Sequence, residues 1–201
     1  MTHRRKLGSF SFHTAWGTPA FLFLAAVFLC GTAAGSLTGL RSAAVEGALV
    51  SELTDAVLTA GKTTLSNGLL FTSLFPAFLW PIAALLCGAC RPHSLLLSAL
   101  VAARGFLFAF AIASMLGALG LDGIVLSIVS CAAGSILTLP CLLLVATIAF
   151  QAALDRPARP GGYWYSLARY RGALLICFLI SMFGGGIRIA AMLLAQHNWF
   201  P

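Results

Sequence analysis

Charge is what this sequence has least of. Only 8% of its 201 residues are Asp, Glu, Lys or Arg, where a soluble domain carries roughly 25%. Acids are rarer still: Glu46, Glu52, Asp55, Asp122 and Asp155 are all of them, and each lies in a connection or at the end of an apolar run. No apolar run therefore carries the buried acid that a proton-coupled pump normally uses. His3, His13, His93 and His197 have no evident serine to activate, which removes a serine–histidine hydrolase. In "CGACRPH", Cys87, Cys90 and His93 lack the second Cys or His pair that completes a tetrahedral set, so neither a metal nor a cofactor is expected. All six cysteines lie in or beside apolar runs instead of in loops. That sets aside a disulfide-stapled secreted domain and predicts reduced, buried thiols.

What the chain does have is hydrophobic length. At 60% hydrophobic residues, five long runs leave too few connecting residues to hide a soluble catalytic domain. The expectation is an all-α, polytopic integral membrane protein of about five transmembrane helices, leaving room for one re-entrant or interfacial helix. It divides into an N-terminal segment (1–18), a single transmembrane domain (19–195) and a short tail (196–201).

The first run, 19–40, opens on Thr18-Pro19, a capping hydroxyl followed by a proline whose missing N–H is harmless in a first turn. It exceeds the roughly 7–15 residues of a signal h-region, so a retained signal anchor is expected. The second run, 68–89, contains Pro76 and Pro81, which bend a membrane helix without ending it. A third stretch runs from Ser94 to Leu119, and Asp122-Gly123 marks the turn after it. The fourth, Gly123 to about Phe150, exceeds the ~20 residues a bilayer needs and holds Pro140, which predicts a tilt or kink. The fifth, 172–195, carries Arg188 near enough to its end to snorkel.

Two connections are informative. In 41–67, Val45, Leu49, Leu53 and Val57 recur every four residues, the pattern of one face of an amphipathic helix. The segment 151–171 reads as a basic loop with Arg156, Arg159, Arg169 and Arg171, and with Tyr163, Trp164, Tyr165 and Tyr170 at a headgroup interface. These basic residues cluster beside span ends instead of forming a stripe, which favours anionic lipid headgroups over nucleic acid. Counting Lys and Arg by side sets Arg4, Arg5, Lys6, Arg91, Arg156, Arg159, Arg169 and Arg171 against Arg41 and Lys62. Eight against two predicts a plasma-membrane protein with its N-terminus inside and its C-terminus outside.

Gly31, Gly35 and Gly39 fall on one face of the first span and predict close helix packing, either within the protein or against a second chain. Arg104 stands alone inside "LVAARGFLFAF". An arginine at mid-bilayer costs ~2.5–3.5 kcal/mol even on the lenient insertion scale. Either it is buried and borrows carbonyls, water or a partner's acid, or the third stretch is two pieces. The second reading is the one expected: Ser94–Ala103 forms a re-entrant or interfacial helix and Arg104 sits at the cytoplasmic headgroups.

Residues 103–150 resemble the middle of the stage II sporulation protein M family. A basic residue with Gly (Arg104-Gly105), an aromatic-rich span with Phe110, a turn at Gly123 and a long span with Pro140 carry the resemblance. The glycines at 31 and 35, the connection after them and "LFPAFLW" at 74–80 extend it over most of 19–155. The resemblance implies a noncatalytic membrane scaffold that, in endospore formers, holds the peptidoglycan hydrolases stage II sporulation proteins D and P. In that reading Val45, Leu49, Leu53 and Val57 form the partner-docking face. The alternative is the permease subunit of an ATP-driven exporter, with 90–103 and 151–171 as coupling segments for an ATPase.

Overall fold

The computed structural model describes residues 18–45, 67–120, 124, 127–155 and 162–199. They form α1 (Pro19–Val45), α2 (Asn67–Ala89), α3 (His93–Leu119), a π-helical turn (Ile128–Ala132), α4 (Ala133–Leu154), the short α5 (Gly162–Ala168) and α6 (Arg171–Trp199), with no strand among the described residues. The protein is all-α and polytopic: four helices, within α1, α3, α4 and α6, are long and apolar enough to cross a membrane. The 23-residue α2 adds a further apolar helix about 34 Å long.

Each helix begins and ends for local reasons. The Thr18 hydroxyl accepts from Phe21 N–H at 3.4 Å at the start of α1. Gly120 closes α3 with φ +59°, a conformation glycine adopts without strain, and its N–H donates to Leu116 O at 3.0 Å. α2 continues through both of its prolines and α4 through Pro140. The departure from regular α-helix in the fourth run lies earlier, at Ile128–Ala132, where the helix widens by a π turn. Buried hydroxyls are satisfied mostly within their own helices, as with Thr147 Oγ1 donating to Leu143 O at 2.7 Å.

α1 and α3 run parallel with their backbones touching. A Cβ on Gly31 would collide with the backbone of Ala102, one on Gly35 with that of Phe106, and one on Gly39 would lie 2.8 Å from Phe110 O. From the other side, a Cβ on Gly105 would lie 2.6 Å from Phe28 O. The glycine stripe therefore packs inside the protein.

α4 is the hub. Val145, Ala146, Ile148, Ala149 and Ala152 are essentially fully enclosed, meeting a core that includes Ala84 of α2, Leu97 and Val101 of α3 and Cys177 of α6. α6 crosses α4 antiparallel, with Gly134 against Gly184, and reaches α2 where Ser181 Oγ donates to Ala77 O at 3.0 Å.

Several sequence expectations need correction. The third stretch is a single helix, His93–Leu119, with no break at Ala103. Its backbone hydrogen bonds run on because Gly105 seats the helix directly on Phe28 and Trp80 covers the arginine that motivated the break. The segment expected to be a loop contains α5, and Tyr163 is buried with its hydroxyl donating to Leu85 O at 2.8 Å, while Trp164 and Tyr165 stay exposed. All six cysteines are free, but Cys30 and Cys90 are exposed; Cys30 lies on the outward side of α1, away from the glycine face that packs on α3.

A candidate anion site between α3, α4 and α6

Two contacts place the basic ends of the helices together, and the arginines there face outward. The His93 ring meets Phe150 edge-on at 5.8 Å, Tyr163 bonds α2 near its C-terminus, and Arg91, Arg169 and Arg171 are all exposed at this end. By a rise of roughly 1.5 Å per residue, Arg104 stands about 16 Å from His93, Ala77 about 18 Å from Ala89, and Arg188 about 25 Å from Arg171. All three residues line one cavity of about 30 Å³, which lies away from the basic end of the bundle. Ser135, Thr138 and the glycines Gly134, Gly184 and Gly185 complete its wall.

Small residues create this space. Gly134 and Gly184 let α4 and α6 approach so closely that a Cβ on Gly134 would lie 2.8 Å from Gly184 O and 3.0 Å from Arg188 Cβ. Arg188 is thereby turned toward α4, three residues before the end of the apolar span Arg171–Ala191. Its Nε is buried with no hydrogen-bond partner among the described residues. The Arg104 guanidinium lies over the Trp80 ring, 5.2 Å from its centroid. Such a contact is worth ~0.5–2 kcal/mol, less than the ~2.5–3.5 kcal/mol cost of the buried cation. Ser135 already uses its hydroxyl hydrogen on Cys131 O at 2.5 Å. Among the described residues, no carboxylate lines the cavity.

The remaining sequence-derived positions fall elsewhere. Gly31, Gly35, Gly39 and Gly105 form the α1–α3 seam. Pro140 lies inside α4, half-buried, two residues beyond the cavity-lining Thr138. Arg169 and Arg171 are exposed. Leu49, Leu53, Val57, Arg156 and Arg159, together with the side chain of Val45, lie outside the described residues. Trp80, Gly134, Ser135, Thr138 and Gly184 were not singled out in the sequence as site residues. The available signal was the pairing of "AGS" at 133–135 with "GGG" at 184–186, two small-residue steps in neighbouring spans.

The fold and the cavity define a polytopic helical membrane protein with an arginine-lined interior. The chain matches no family model, no curated protein and no solved structure.

Proposed function

We propose that this chain is a noncatalytic scaffold of the cell membrane that anchors or recruits partner proteins, as its resemblance to the stage II sporulation protein M family implies. The observation that carries this reading is the close packing of the described helices. The cavity between α3, α4 and α6, about 30 Å³, has room for about two waters, which favours a holding role over passage of a solute. The α1–α3 seam adds to it, because helices in backbone contact make a stiff mount. The eight-to-two charge count orients the protein with its N-terminus in the cytoplasm and its C-terminus outside. A C-terminal reporter active only in the cytoplasm would reverse that orientation.

Co-purification in mild detergent tests the function. Charged substitutions at Val45, Leu49, Leu53 and Val57 are expected to abolish recruitment of extracytoplasmic partners, peptidoglycan hydrolases among them, while the protein stays inserted. Charge reversal at Arg156, Arg159, Arg169 and Arg171 is expected to weaken lipid anchoring by ~1 kcal/mol per site and leave recruitment intact. The exporter-permease reading has one observation in its favour, the two cations lining one interior cavity. Loss of a nucleotide-binding subunit on reversal of those loop arginines, with the outer-face variants recruiting normally, would replace the scaffold with the permease.

A further inference from the structure

The interior arginines point to a ligand that the scaffold reading does not require. Arg104 and Arg188 come from different helices and line the same small cavity. Like unit charges that share a small cavity repel, and the more so the drier the medium. Trp80 offsets part of the cost for Arg104, and nothing among the described residues does so for the Arg188 Nε. Water could accept the free N–H bonds, but water does not cancel the repulsion. An anion does both at once.

We propose that this cavity binds one small dissolved monovalent anion, of halide or formate size, between the guanidinium groups of Arg104 and Arg188. Size sets the class. A volume of about two waters fits a halide or a single carboxylate-sized ion better than the bulkier sulfate or phosphate. Lipid phosphates at the basic end lie out of reach, because the arginines stand about 16 and 25 Å along their helices from that end. The glycines at 134 and 184 keep the arginine-bearing walls close enough for a single ion to meet both cations. Trp80, stacked on Arg104, serves as a built-in reporter.

The test uses the full chain in phosphatidylcholine nanodiscs, with Trp16, Trp164 and Trp199 replaced by Phe so that Trp80 is the remaining indole. Sodium bromide, a heavy-atom quencher, is titrated at constant ionic strength against gluconate. Quenching of Trp80 is expected to saturate, to be reversed competitively by sodium formate, and to be accompanied by a rise in Tm. Arg188→Gln should weaken the apparent affinity at least tenfold, and Arg188→Lys should restore part of it. The competition in the unsubstituted site stands without the variants, should either fail to fold. Linear quenching that formate does not reverse, with a Tm indifferent to anion, would overturn the proposal and leave water as the occupant. A chain that ignores dissolved anions but loses a co-purifying membrane protein on Arg188→Gln would overturn it in favour of a partner's intramembrane acid.

Discussion

Where α1 meets α3, glycine removes the gap between two helices; where α4 meets α6, glycine comes with a gap that holds two arginines. The backbone device is the same. At the first seam Gly31, Gly35, Gly39 and Gly105 bring main chain onto main chain over about three turns. At the second, Gly134 and Gly184 close a single level, and Arg188 one turn further along α6 prevents the helices from sealing. The first arrangement can supply only stability. The second keeps two cations in the interior with no carboxylate beside them among the described residues, at a cost to stability, which is the pattern expected of a site with a function.

The largest expected effect lies at the sealed seam. Gly35→Val sets a branched side chain against the backbone of Phe106, which has no rotamer through which to yield. Separating α1 from α3 should cost about 3 kcal/mol, the upper range for overpacking, read as a shift in the SDS-induced unfolding midpoint in mixed micelles. A variant as stable as the parent would mean that the two helices are not locked, and the contrast between the seams would vanish.

A smaller effect is expected at the open seam. In Gly134→Ala the new methyl would meet Gly184 O at 2.8 Å, so a backbone must move, but only at one level. The expected loss is about 1–2 kcal/mol in the same assay. Gly186 is the internal control, because a Cβ there meets nothing within 4 Å. Gly186→Ala should be neutral or stabilising by up to ~1 kcal/mol through helix propensity. Equal losses at 134 and 186 would show that the glycines act through backbone flexibility and not through close approach.

The two seams were unequally legible in the sequence. A spacing of four glycines per face is a local pattern, so Gly31, Gly35 and Gly39 declare a packing surface; what they pack on depends on Ala102 and Phe106, some seventy residues away, and no periodicity reports that. The broad helical plan followed from apolar run lengths alone, and α1, α2 and α6 begin within a residue of where those runs begin. Arg104 misled for an instructive reason. The cost of a lone cation argued for moving it to the headgroups and breaking the helix, because its compensations, Trp80 on α2 and a shared cavity with Arg188 on α6, are tertiary. Tyr163 followed the same course: its composition suits an interface, but a carbonyl at Leu85 captures its hydroxyl.

The smallest effect has the opposite sign, and it separates the seams most sharply. Arg104→Met keeps the length and apolar stem of the side chain while deleting its charge. The variant loses the contact with Trp80, worth ~0.5–2 kcal/mol, and gains relief from burial and from repulsion by Arg188, which together outweigh it. In gluconate buffer the variant should therefore be more stable than the parent by about 1 kcal/mol, since a buried charge without a counter-charge is often replaced favourably by an apolar isostere. Adding bromide or formate should reverse the order: an ion at a hundredfold excess over its Kd stabilises the parent by ~2.7 kcal/mol and leaves the variant unmoved. Persistent destabilisation by Arg104→Met in both buffers would make the arginine an ordinary packing element, and the second seam would differ from the first in composition alone.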